Sequence, residues 1–321
     1  MTEIFGGKRL YVSGKFEGLQ QGEVWAYLLG HGAQGTTSRS GAQGYLCADP
    51  SDPKLVATGK PLYTLADLGA PLAGYLDRVK AAVESRRAEL LRYKKPLVTH
   101  LGYGPPADDA LIAKVADALG FPVPDDLLTL MRQFNGLSAA VAMLKRGGDP
   151  IELSDDGPLP YCALASMSHP LWRGRIDWLL GVIGIPTWED IFLRPQAERL
   201  CDAASAYPPK SVIAIGPLKV KSEALFPRLF AFDLFHHWAG AALYADPKAQ
   251  ALRVIYAFDV WADFTSAHPL SLRGYMESLA AGLWGRAVHV GQRYVRPTRS
   301  SGWPTYVRNI HGAPYVFLEF K

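Results

Sequence analysis

Along VPDDLLTLMRQFNG, residues 123–136, apolar groups return at i, i+3, i+4 and i+7 as Leu127, Leu130, Met131 and Phe134. That spacing predicts a short helix with one buried face. Pro124 fits its first turn, and Asn135-Gly136 closes it, the glycine supplying a left-handed exit. Just upstream, residues 107–120 place Leu111, Ile112, Val115 and Leu119 on one face, with Asp108 as cap and Gly120 as stop. Only FPVP joins the two helices, so they must pack as a corner. The period then changes. AAVAML (139–144), SVIAIG (211–216), LFAFDLF (229–235), GAALYAD (240–246) and LRVIYAFD (252–259) are strand-like runs separated by turn residues. Their hairpin-like spacing predicts an antiparallel sheet. A closing helix over 271–284 turns Leu272, Tyr275, Met276, Leu279 and Leu283 inward. Helices before and after a block of strands predict an α+β domain.

Residues 1–84 read differently. A strand over 9–13 (RLYVS), a helix over 23–29, a second strand over 45–48, a helix over 61–68 and a longer helix over 71–91 alternate as in a small α/β unit. The last helix carries the stripe Leu72, Tyr75, Leu76, Val79 and Val83. SRRAELLRYKK (85–95) holds five basic groups and is followed by Pro96, and GYGPP occupies 102–106. Residues 85–106 are therefore expected to be a basic linker between a domain at 1–84 and a second at 107–321.

Composition supports two globular units: 321 residues, 49% hydrophobic, 20% charged. No apolar run reaches the roughly 18–20 residues of a membrane span, and MTEIFGGKRLYV lacks a signal-peptide layout, so a cytoplasmic location is expected. Cys47, Cys162 and Cys201 are odd in number and far apart, against a disulfide framework or a C-x-x-C zinc site. The net charge of +4 is uneven: residues 97–284 hold 15 basic and 20 acidic groups, while the flanking regions are both basic. An acidic middle suits a basic partner, and equally suits an ordinary solvated surface.

Catalytic signatures are sparse. The chain has no G-x-S-x-G, no phosphate-binding G-x-x-x-x-G-K-[ST] and no H-E-x-x-H. His236 and His237 adjoin, yet neighbours on a strand point to opposite faces and rarely share a metal ion. Asp259 and Asp263 form a weaker candidate carboxylate pair, and His169-Pro170 and His268-Pro269 read as turns. No metal and no cofactor are expected. LWRGRIDWLLGVIG combines Trp172, Arg173, Arg175 and Trp178, side chains that dominate interface hot spots, although large rings also fill cores.

LIAKVADALGFPVPDDLLTLMRQFNG, followed by IPTWEDIF (185–192), VIAIG (212–216), Asp233 within LFAFDLF and the closing SLRGYMESLAAGLW, resembles the SUKH superfamily. In that family a helix, a Leu-Pro-like turn and a second helix ending in Asn-Gly precede a curved antiparallel sheet. The likeness covers most of residues 107–284, with an insertion at about 145–184 and an extension at 285–321. In residues 1–84, RLYVSGKF, LLGHGAQ, SGAQGYLCA and LADLGAPL resemble a BRCT domain, closest in style to that of bacterial DNA ligases. By that resemblance Ser13, Gly14 and Lys60 could hold a phosphate; a purely structural Ser13-Gly14 turn is the competing reading.

The SUKH resemblance implies a non-enzymatic immunity protein that binds and blocks a toxin such as a nuclease, with no membrane contact. Its binding surface is expected at Asp155, Asp156, Trp172, Arg173, Arg175 and Trp178. The BRCT resemblance implies an alternative, a scaffold in DNA repair or phosphoprotein signalling that contacts DNA or a phosphopeptide.

Overall fold

The computed structural model describes residues 5, 8–16, 24, 28, 31, 33–36, 38–68, 72–91, 97–144, 176–194, 207–215, 218–236, 239–258, 263–264, 270–282, 288–290 and 293–295. Helices and strands are mixed throughout, as expected for an α+β chain. Among the described residues no helix is long and apolar enough to cross a membrane.

The first unit is a parallel sheet of β1 (Arg9–Ser13), β2 (Gln34–Gly35), β3 (Gly44–Cys47) and β4 (Leu62–Tyr63) in the order β2-β1-β3-β4, with the one-turn helix α1 (Pro53–Val56) between β3 and β4. Side-chain alternation sets its two faces. Leu10, Val12 and Leu46 pack with Phe5, Val24, Leu28 and Leu68, while Tyr45 and Cys47 pack on the other side with Leu55 of α1. All four residues of β3 are buried, the pattern of a strand covered on both faces.

Residues 61–68 were expected to be one helix; Leu62–Tyr63 form a strand instead, and the helical part is a single 3-10 turn, Ala66–Leu68. The Tyr45 N–H donates to Pro61 O (2.9 Å), drawing the next two residues into the sheet as β4. The Thr64 N–H and hydroxyl then both donate to Asp67 Oδ2 (2.7 and 2.9 Å), a side-chain turn that competes with helix formation. Conversely the turn-like DPSDP opens a helix: Asp52 caps α1 by accepting from the Lys54 N–H (2.9 Å), and Pro53 stands at its first position.

Helix α2 (Tyr75–Leu91) buries the stripe read from the sequence, but in the larger core. It lies on β5 (Leu97–Tyr103) and on the strand that pairs with it. The Gln133 amide fixes its start, donating through Nε2 to Leu72 O (2.8 Å) and accepting at Oε1 from the Leu76 N–H (3.2 Å). The expected partition therefore differs from the packing in two respects. The helix expected to end the first domain belongs to the second core, and residues 97–103 of the expected linker form a strand. The stripe Leu72, Tyr75, Leu76, Val79 and Val83 tells that a face is buried, not against what.

The corner follows as α3 (Asp109–Leu119) and α4 (Asp125–Met131). Asp108 caps α3 by accepting from the Leu111 N–H (2.8 Å), and Gly120 leaves it at φ +75°. Gly136 exits the second helix region at φ +84°. The chain then forms β6 (Leu137–Leu144), β7 (Ile176–Ile185), α5 (Trp188–Phe192), the hairpin β8 (Val212–Ile215) and β9 (Leu218–Lys221), α6 (Ser222–Leu225), β10 (Leu229–His236), β11 (Ala239–Asp246), β12 (Ala251–Phe258), β13 (Asp263–Phe264), β14 (Leu270–Ser271) and α7 (Leu272–Gly282). A last hairpin pairs Val288–Val290 with Arg293–Val295.

β5-β6-β7 form one antiparallel sheet, and β10-β11-β12-β13 another, with β14 also on β12. Strict alternation places Phe230, Phe232, Ala241, Leu243, Leu252 and Val254 against the helices. Leu229, Ala231, Ala242, Tyr244 and Ile255 face the β8–β9 hairpin. Rings run through the helix-side core from Tyr75 to Phe134 (6.4 Å between centroids), Trp188 (5.6 Å), Phe232 (6.3 Å) and Tyr275 (6.0 Å).

Candidate functional site

The helical corner carries both the Asn135-Gly136 ending and a band of acidic groups. Its position is set by Asn135. The Asn135 Nδ2 donates to Glu189 Oε2 (2.9 Å), and its Oδ1 accepts from the Trp188 N–H (2.7 Å), while the Trp188 indole donates to Phe134 O (2.6 Å). Gly104 fits beneath: its N–H donates to Gly136 O (3.1 Å), and a Cβ there would lie 2.1 Å from Asn135 O. No residue larger than glycine allows this backbone approach. Asn-Gly thus ends the corner twice over, by backbone conformation at Gly136 and by side-chain locking at Asn135. The sequence pattern pointed to the first of these only; the asparagine's partners lie about fifty residues away in IPTWEDIF, itself quoted as a motif.

Outward from this lock, Asp108, Asp109 and Asp117 of the α3 region and Asp125 of α4 are exposed, and Asp126 is half-buried. Arg132 pairs with Asp109 across the corner, and Arg273 of α7 donates to Asp126 (3.1 and 3.2 Å). Lys114 is the basic residue exposed on α3. This surface is anionic in balance and is built on helices held from beneath by the Asn135 contacts. Such an arrangement can steer and dock a cationic macromolecule.

Two buried polar contacts tie the core behind it. Arg78 of α2 donates twice to Glu277 of α7 (2.6 and 2.8 Å), a paired geometry with both side chains almost wholly buried. Asp233, fully buried, accepts from the Gly184 N–H (2.9 Å) and from the Tyr275 hydroxyl (2.6 Å). Burial pushes its carboxyl up to about 6, the two hydrogen bonds opposing that rise. Arg78 and Glu277 escaped the sequence reading because nothing local links residues so far apart; Arg78 sits on the flank of the α2 stripe, the one signal that could have marked it. His100 and Ser138 are a further pair (2.8 Å), both buried between β5 and β6, so they hold the sheet and present no nucleophile to solvent.

The residues expected to hold a phosphate are not brought together. Ser13 and Gly14 lie at the C-terminal end of β1, where the Ala48 N–H donates to Ser13 O (3.1 Å). Lys60 lies by the opposite end of the sheet. Its ammonium donates to Arg39 O (3.2 Å), Ser40 O (3.1 Å) and Ala42 O (2.7 Å) and sits 5.9 Å from the Tyr45 ring centre. Strand register puts Gly44 opposite Leu10 and Cys47 opposite Ser13, so the two ends are about 10 Å apart. Gly14 has its own structural reason: φ is +95°, and an added Cβ would come within 2.9 Å of the Ala48 Cβ.

Of the expected toxin-binding residues, Trp178 stands in β7 opposite Met143 of β6. Asp155, Asp156, Trp172, Arg173 and Arg175 lie outside the described residues, as do His169, His237, Asp259 and His268. His236 ends β10, and Asp263 pairs with Phe258 in β13. Among the described residues no three His, Cys, Asp or Glu side chains gather as metal ligands would. No protein-family model matches this chain, and no curated protein matches it either.

Proposed function

We propose that this chain is a cytoplasmic, non-enzymatic binding protein whose larger unit neutralises a bacterial toxin, in the manner the SUKH resemblance implies. The observation that carries the reading is the corner: two short helices, the first capped by Asp108 and the second closed by Asn135-Gly136 and locked to Trp188, present exposed Asp108, Asp109, Asp117 and Asp125 on a packed hydrophobic core. A preorganised surface loses little conformational entropy on docking, and its charge favours a basic target such as a nuclease. The Asp155, Asp156, Trp172 and Trp178 group supplies the acidic and aromatic anchors of the proposed contact, with Arg173 and Arg175 between the two tryptophans.

The test uses a toxin nuclease encoded beside this gene and calorimetric titration of the full chain. Replacing the exposed corner carboxylates Asp109, Asp117 and Asp125 with asparagine is expected to weaken binding about tenfold or more with the melting temperature nearly unchanged, and replacing Asp155, Asp156, Trp172 and Trp178 together is expected to abolish it. Unaltered affinity would remove the proposal.

The first unit supports a subsidiary recruiting role, because it has hydrophobic clusters of its own around a separate sheet. A phosphorylated partner recruited there would have to be held without Lys60, whose ammonium is already engaged. Partner capture that survives phosphatase treatment would remove phosphate recognition from this role.

A further inference from the structure

Where β7 meets β10 the larger unit changes its manner of joining strands. β5-β6-β7 and β10-β11-β12 are antiparallel ladders, bulged in places, but among the described residues β7 and β10 share no ladder, although they lie side by side. The described hydrogen bond across the seam runs from the Gly184 N–H to a side chain, Asp233 Oδ1. A bulge puts that side chain there. Ala231 stands opposite Ala242 and Asp233 opposite Ala241, so β10 holds one residue more than β11 over this step. Without the bulge, alternation would send Asp233 to the hairpin side with Leu229 and Ala231; with it, the carboxylate joins Phe232 on the helix side and reaches Tyr275.

We propose that Asp233 is a proton-operated latch that closes β7 and α7 onto β10 when protonated and loosens both when ionised. The proton comes from solvent and rests on Oδ2, whose O–H then donates to the Tyr275 oxygen while Oδ1 keeps the Gly184 N–H. Ionised, the same oxygens carry a charge in a fully buried position with two neutral donors as its support. Among the described residues the neighbouring elements present the following groups. α7 offers Tyr275 as the titratable group facing Asp233, while Glu277 turns to Arg78 and Arg273 to Asp126. β7 offers the Gly184 backbone and β11 offers Ala241. On α5, Trp188 stacks on Phe232 and Glu189 is held by Asn135.

The direction of the pH effect follows from the carboxyl sitting at about 6 in the fold against an ordinary value of 3.8. The folded state holds this proton more tightly than the unfolded chain. Its contribution to stability is complete below about 4 and is lost as pH rises through 6. Denaturant unfolding of the full chain at pH 5 and pH 7 tests it, with Asp233→Asn as the permanent neutral form. The unfolding constant of the natural protein, relative to that variant, is expected to rise about tenfold between the two pH values. A ratio that stays flat, or that falls with pH, would overturn the latch. Should the variant fail to fold, amide exchange at Gly184 in the natural protein decides. Corrected for intrinsic rates, it must accelerate across the same interval; exchange independent of pH would equally overturn the proposal.

Discussion

The two units bury their sheets by different means. The small parallel sheet is finished by polar contacts near the surface: Asp52 on Lys54 and Asp67 on Thr64, both local in sequence, and Lys60 on the carbonyls of residues 39, 40 and 42. The larger antiparallel unit is tied by long-range polar contacts deep inside, as between Arg78 and Glu277 or Asp233 and Tyr275. Exposed contacts of the first kind are individually weak, because water competes for every partner. Buried ones are costly to break, since the remaining partner is stranded without water. The fold of the larger unit therefore depends on a few specific pairs.

The largest effect expected from this contrast is at Arg78. Arg78→Met leaves the Glu277 carboxylate buried without its cation and should cost about 3–5 kcal/mol, read by denaturant unfolding. The change should register strongly in tryptophan fluorescence, because all tryptophans except Trp25 lie beyond residue 165. Adding Glu277→Leu should recover most of that loss, since removing both charges removes the stranded one. A double variant as unstable as the single one would mean that shape, not charge, fixes α2 to α7.

Asn135→Ala should cost about 2–3 kcal/mol, from two lost side-chain bonds and an unsatisfied Trp188 N–H. It should also loosen the acidic corner, measured as faster amide exchange in α4. Smallest is Gly14→Ala, at about 1–2 kcal/mol from strain at positive φ and the close Ala48 side chain. Its mark should be faster exchange in β1 and β3 with protection in β10–β12 unchanged. Loss of protection in both units would show that they do not unfold separately.

What the sequence made legible, and what it hid, divides along the same line. Asp108, Gly120 and Gly136 stand where cap and exit chemistry placed them, and β6, β8, β10, β11 and β12 lie close to their expected positions, whereas β7, in a stretch expected to be largely an insertion, and β9 were not foreseen. These features rest on neighbours in the chain or on alternation, which a sequence displays directly. Residues 61–68 misled because apolar spacing there fits a helix, whereas pairing with β3 and the Asp67 turn decide the outcome. The membership of α2, the bulge that redirects Asp233 and the Arg78–Glu277 pair depend on partners remote in sequence, and periodicity carries no information about them. For the site, the Asn-Gly ending was legible and its lock on Trp188 was not. Lys60 was aligned to a motif by sequence, and strand register sets it at the other end of the sheet from Ser13.

On the function proposed above, this chain acts by gripping a macromolecule and not by chemical turnover. The most direct measurement is the residual activity of a partner nuclease as the chain is added in increasing amounts. A linear fall ending at one equivalent is expected, with both proteins recovered intact from the complex. Inactivation by far less than one equivalent, or a nuclease left covalently altered, would contradict it.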